Sequence, residues 1–238
     1  MLRNLLIPPK NRAAQQATET SLYLYGPIGP YDDWGDISAK SVASALAQMP
    51  SNATLTVYVN SVGGSVFEGV AIYQQLRRFK GKKIVQVDSL AASIASIIAM
   101  AGDEIHMAYN AQVMIHDPEG GSYGRESDLR KYADLLKSTK ETLVDTYVAR
   151  TKQSRSTISS WMADETWFRA QDALKHGFAD KIVNADTDTD VDDRSKIILA
   201  KYKHTPKDIA PSSEIVRRAM VAKMKMQTLR NRTGGASA

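Results

Sequence analysis

Two consecutive segments, TLTVYVNSVGGSVFEGVAIYQQLRRF from residue 54 and KKIVQVDSLAASIASIIAMAG from residue 82, repeat one pattern. Each has a β-branched, alternating run, then a turn of glycine or small residues, then apolar residues at helical spacing. Alternation predicts a strand and the three-and-four spacing predicts a helix. Two strand–turn–helix units in direct succession commit the chain to an α/β fold and make these units its centre.

The flanking segments extend the alternation. SLYLYGPIG predicts a strand closed by a Gly-Pro turn, and ISAKSVASALAQM predicts a helix opened by Asp36 as N-cap. SLAAS reads as the turn of the second unit, and IASIIAMAG as its helix, stopped by glycine. EIHMAYNAQVMIH supplies two short strands broken at Tyr109-Asn110, DPEGGSYG is a Gly-rich loop, and RESDLRKYADLLKSTKETLVDTYVART is a long amphipathic helix. Ser154 caps a short helix, AQDALKHG is a helix stopping at Gly177, and DKIVN is the last strand. These signals place the compact domain over 21–184, behind a polar, Pro-broken arm over 1–20. The acidic ADTDTDVDD reads as a linker, and the basic SSEIVRRAMVAKMKMQTLRNR regains helical spacing, so 185–238 is a linker and tail.

Composition removes several function classes. There is no cysteine, which excludes thiol chemistry and disulfides. The formal charge is +5, but much of the excess follows residue 193, so nucleic-acid binding is not required. The longest apolar run, Leu90 to Ala101, falls short of the roughly 20 residues a bilayer core needs, and MLRNLLIPPKNR is too briefly apolar for a signal peptide. A cytoplasmic protein without membrane contact is the expectation.

Chemistry is concentrated at the strand-to-helix turns. There a side chain can stand at a helix N-terminus, where free N–H groups favour developing negative charge. Ser93 occupies that position, Ser89 lies nearer the strand end, and Ser96 lies one turn into the helix. A lone serine in such a run is more often a cap or a packing residue. A hydroxyl also needs a base to become a nucleophile. Of four histidines, His176 and His204 read as surface residues, and His106 sits in a strand that could face solvent. His116 closes the apolar run QVMIH at the mouth of a loop, where a scaffold presents side chains to a site. Gly63-Gly64 and the amide of Ile94 are candidate oxyanion donors, although a glycine pair alone signals only a tight turn.

The words YLYGPIG, ISAKSVASAL, VNSVGGSVFEGVAIYQQLRR, SLAASIASIIAMAGDEI, VMIHDPEGGSYG and ETWFRAQDALKHGFADKIV, taken together, resemble the ClpP-like serine peptidases from Ser21 to Asn184. Within that family they resemble the head maturation (prohead) proteases of phages and prophages. The resemblance implies a ClpP/crotonase-like fold of repeated ββα units. It places the nucleophile on Ser93, the general base on His116, and the oxyanion donors on Gly64 and Ile94. The triad acid aligns with Glu165, with Asp164 immediately before it as the alternative. SVGG replaces the family's usual SPGG, so Val62 lacks the fixed φ of proline, and a somewhat looser oxyanion loop is expected.

The resemblance further implies an endopeptidase that uses no metal or cofactor and acts on protein or peptide substrates. Scaffold and capsid proteins are candidates in a phage setting, within the host cytoplasm or procapsid. It also implies homo-oligomeric rings, commonly heptamers stacked face to face through the loop after His116 and the long helix, and a possible AAA+ unfoldase partner. Two other readings share the fold: an assembly or scaffold protein with weak or lost hydrolysis, and an acyl-CoA enzyme of the crotonase superfamily. The intact Ser93 and His116 weigh against the first, and the AAS and MIH words against the second.

Overall fold

The computed structural model describes residues 19–32, 35–184, 195, 198–206 and 210. The chain divides into two units, Met1–Thr189 and Asp190–Ala238. The expected acidic linker, the basic helix of the tail and most of the N-terminal arm lie outside the described residues. In the second unit the Thr205 hydroxyl donates to the carbonyls of Leu199 and Tyr202.

In the first unit strands and helices alternate as β1 (Glu19–Tyr25), α1 (Ala39–Leu46), β2 (Thr54–Ser61), α2 (Val66–Arg78), β3 (Lys83–Ala92), α3 (Ile94–Ala99), β4 (Glu104–Ala108) and β5 (Gln112–Ile115). They are followed by α4 (Glu126–Thr151), α5 (Arg155–Ala163), β6 (Thr166–Arg169), α6 (Ala170–His176) and β7 (Lys181–Val183). The sheet runs β1-β2-β3-β4-β7, all parallel, with β5 parallel to β3 and β6 antiparallel to β5. The mixed α/β architecture follows the sequence reading. β1 starts at Glu19, two residues inside the segment expected to be arm.

The alternation in β2 shows why the strand forms where it does. Leu55, Val57 and Val59 are fully buried on the helix-covered face, while Tyr58 turns to the other face and stacks on Tyr23 with ring centroids 4.7 Å apart. Each buried aliphatic side chain of this kind contributes about 1.5–3 kcal/mol of burial free energy, so a one-residue slip of register would forfeit several at once.

Two local expectations are corrected. Ser38, not Asp36, caps α1: its Oγ accepts from Ser41 N–H at 3.0 Å, and Ser41 Oγ accepts from Ser38 N–H at 3.2 Å. Asp36 instead accepts from Tyr31 N–H at 3.3 Å, two residues before the cap. The stretch SLAA, read as a turn, is the last part of β3. Small residues suit either state, and here a shift of register between Val59 and Ser61 lets β3 continue past β4. Residues 84–87 of β3 pair with β4, and residues 90–92 pair with β5. That change of partner brings the end of β3 alongside the end of β5.

Helix α4 buries Leu143, Val144, Tyr147 and Thr151, all in its C-terminal half. Leu129 and Leu135 in the other half are 45% and 46% exposed, and Tyr123 in the preceding loop is fully exposed. The Ser154 cap of α5 is as expected, with Ser154 Oγ accepting from Thr157 N–H at 3.1 Å. His176, expected at the surface, is half-buried because its ring turns back onto Trp161 at 4.9 Å and Phe168 at 5.9 Å.

Candidate active site

The ladder itself assembles the site. Ala92 pairs with Met114, and Ser93 N–H continues the pairing by donating to the Met114 carbonyl at 2.9 Å, so the first residues beyond β3 and β5 emerge side by side. Those residues include Ser93 and His116, whose Oγ and Nε2 are 2.8 Å apart. The antiparallel register of β5 with β6 ends on the pair Ile115 and Thr166, so His116 directly follows one member of the last pair and Glu165 directly precedes the other. Asp164 falls one position farther on.

The two carboxylates differ sharply in surroundings. Glu165 is 8% exposed, holds a left-handed backbone (φ 49), and accepts from Trp167 Nε1 at 3.3 Å. Asp164 is exposed at the end of α5 and accepts from Ser160 Oγ at 3.3 Å. Burial pushes His116 below its ordinary value near 6.5, and the carboxylates of Glu119, Glu165 and Asp117 oppose that. Glu165 therefore acts electrostatically on the imidazole. A neutral imidazole at pH 7 is the form able to accept a proton.

Ser93 has φ 54 and ψ −129, a conformation L-residues seldom adopt. A strained strand-to-helix turn of this sort lifts a hydroxyl clear of its own backbone. The glycine pair lies directly against it: a Cβ on Gly63 would stand 2.7 Å from Ser93 Cβ and 3.2 Å from Ile94 N. Gly63 N–H donates to Ser61 Oγ at 3.2 Å. Ile28 N–H donates to the Gly63 carbonyl at 2.8 Å, and Ser65 N–H donates to the Ile28 carbonyl at 2.9 Å. In a parallel bridge the residue between two such bonds directs its own N–H to the opposite side. Gly64 N–H is thereby aimed away from Ile28, toward the side on which β3 ends in Ser93. Ile94 N–H is the first of α3 and has no acceptor within its own helix.

The profile of the Clp protease family matches residues 19–186. The chain belongs to the Clp protease family. It is 31% identical over 181 residues to the ATP-dependent Clp protease proteolytic subunit 3 of Streptomyces coelicolor, covering 74% of this chain and 81% of that one. It is 33% identical over 153 residues to the ATP-dependent Clp protease proteolytic subunit 1 of Leifsonia xyli subsp. xyli, covering 62% of this chain and 77% of that one. The Clp-family fold accounts for the seriated strand–helix units and for the sheet edge at which Ser93, His116 and the glycine pair meet.

Not every serine or histidine named from the sequence reaches this edge. Ser89 lies within β3, and His106 on β4 pairs with Glu104 at 3.0 Å, away from the dyad. His204 is exposed in the second unit. Ser96, assigned only to packing, is bonded to the Ser93 carbonyl and to the Tyr147 hydroxyl. Lys140 of α4 holds Asp117, the residue after His116, with Nζ to the two carboxylate oxygens at 2.8 and 2.9 Å. Neither partner on α4 carried a motif signal; only their seven-residue spacing, which puts 140 and 147 on one helix face, hinted at a shared role. Among the described residues no three His, Asp or Glu side chains converge on a metal position, and no helix is long and apolar enough to cross a membrane.

Proposed function

We propose that the chain is a serine endopeptidase in which Ser93 is the nucleophile and His116 the general base. The observation that carries this reading is the 2.8 Å contact between Ser93 Oγ and His116 Nε2 at a strained strand-to-helix turn. His116 Nε2 accepts the hydroxyl proton as Oγ bonds to the peptide carbonyl carbon, then returns it to the leaving amine. A water then attacks the resulting ester by the same route in reverse, giving the free acid and restoring Ser93. Gly64 and Ile94 amides receive the carbonyl oxygen as it gains charge. Glu165 accepts a hydrogen bond from His116 Nδ1–H and holds the tautomer that leaves Nε2 free; its burial, its electrostatic effect on the imidazole and its place directly before Thr166, the partner of Ile115, support it over Asp164.

The wider assignment rests on the sequence words that resemble the head maturation proteases. It makes the protein a ring-forming peptidase whose substrates are protein chains, scaffold and capsid proteins among them, with an AAA+ unfoldase as a possible feeder. The exposed apolar positions Leu129 and Leu135 of α4 and Tyr123 of the loop suit a ring-to-ring contact. Labelling with a fluorophosphonate tests the chemistry directly. Wild type should label and Ser93→Ala should not; an unlabelled wild type, under conditions that label an active Clp peptidase, would refute the reading.

A further inference from the structure

We infer that Ser96 and Tyr147 are positioning residues for the nucleophile: the Tyr147 hydroxyl donates to Ser96 Oγ, Ser96 Oγ donates to the Ser93 carbonyl, and this relay aims the Ile94 amide. The inference rests on the peptidase reading above, because it assigns the relay a task in that reaction.

The direction of the relay follows from proton counting. The Ser93 carbonyl can only accept, so the single Ser96 hydroxyl proton is committed to it. The Tyr147 hydroxyl, 2.7 Å from Ser96 Oγ, must then be the donor. Tyr147 is fully buried, and burial pushes its hydroxyl well above the ordinary range, so it keeps that proton. Ser96 is itself fully buried, so water does not compete for either bond.

The consequence for chemistry comes from the planarity of the peptide group. The Ser93 carbonyl and the Ile94 N–H belong to one trans plane and point in opposite directions. Any bond that fixes the carbonyl also fixes the amide on the far side. Ser93 sits at φ 54 and ψ −129, where its backbone would relax by rotating that same plane. The carbonyl accepts from Ser96 N–H at 3.0 Å as well as from Ser96 Oγ. The backbone bond belongs to the helical turn, whereas the side-chain bond ties the plane to α4 through Tyr147. α4 therefore holds the proposed oxyanion donor from behind, through the buried contact of Tyr147 with Ser96.

The test measures the second-order rate of fluorophosphonate labelling, the kcat and KM for a peptide substrate, and the melting temperature, all on the full chain. Tyr147→Phe keeps the ring packed against Phe178 and removes the hydroxyl. Its labelling rate and kcat should fall about three- to tenfold, the change that one ordinary hydrogen bond corresponds to, with KM unchanged. Ser96→Ala should fall at least as far and also melt earlier, since it strands the buried Tyr147 hydroxyl. The double variant should regain melting temperature but not rate, because the relay is one path. Leu55→Val, a core truncation at the opposite end of the strands, should lower melting temperature and leave the labelling rate near wild type. Rates that track melting temperature across all four variants would overturn the inference and leave the peptidase reading intact. A wild type that fails to label would overturn both.

Discussion

Gly64→Ala should inactivate the protein and destabilise it, for separable reasons. An added Cβ would lie 2.0 Å from the Ile28 carbonyl oxygen and 3.0 Å from its carbon, and Gly64 holds φ 145, which an L-residue rarely adopts. The methyl group cannot be housed by a side-chain rotation, because the atoms it meets are backbone. The bridge to Ile28 must open, and its two hydrogen bonds of 2.8 and 2.9 Å are worth about 1 kcal/mol each. Keeping the left-handed backbone with a side chain costs roughly a further 1–3 kcal/mol. The sum is about 3–5 kcal/mol. For a domain of this size that is a fall of roughly 10 °C in melting temperature.

Two glycines calibrate the estimate. Gly35 has φ 82 but open space around its Cβ position, so Gly35→Ala isolates the backbone cost at about 1–2 kcal/mol. Gly121 has open space and no positive φ, so Gly121→Ala should be neutral. Differential scanning calorimetry should order the three as Gly121, Gly35, Gly64 from least to most destabilised. Fluorophosphonate labelling of Gly64→Ala, taken well below its melting temperature, should be slower by about 10²–10³, the usual loss for one oxyanion donor. If Gly64→Ala melts early yet labels within about twofold of wild type, Gly64 is a turn residue only and the proposed oxyanion assignment fails.

Other outcomes follow from the same geometry. Because burial lowers His116 below 6.5, labelling should be flat from pH 7 to 8 and fall only below that value; the stability linked to His116 is likewise full above 6.5 and lost as pH drops through the folded value. An inflection above 6.5 would contradict the burial argument. Glu119→Gln removes the largest opposing carboxylate and should move the inflection lower still, read from the same pH profile. Glu165→Gln should slow labelling at least tenfold while Asp164→Asn stays within about twofold; the reverse order would transfer the acid role to Asp164. Lys140→Met leaves the Asp117 carboxylate of this half-buried pair uncompensated next to His116, so the inflection should rise in the same pH profile.

The central architecture was legible because its signals are local. Alternation in TLTVYVN and KKIVQVD and the helical spacing after each turn depend on neighbours two to four residues away, and those elements formed where expected. The departures arose where a local signal admits two answers. Asp36 and Ser38 are both good caps, and which one is used depends on where the chain leaves the bridge of Ile28 with Ile37. SLAA is small enough for a turn or a strand, and the choice fell to β5, a partner that follows it by some twenty residues. His176 reads as a polar helix end, yet its ring is drawn into the aromatic group of Trp161 and Phe168.

The candidate site divides along the same line. Ser93, His116 and the glycine pair are found at turns, where the chain announces a change of direction. Glu165 and Asp164 are indistinguishable as adjacent acids in ADETWF, and their different surroundings, one buried and the other exposed, come from the turn between α5 and β6. Ser96 could not be read at all, because a small polar residue in an alanine-rich helix looks the same whether or not its hydroxyl is bonded. Its partner lies 51 residues away on a helix with no catalytic word in it. What such a sequence conceals is therefore not the group that reacts but the buried polar bonds that hold it. Burial makes those bonds strong, and it also removes the pattern by which exposed functional residues are noticed.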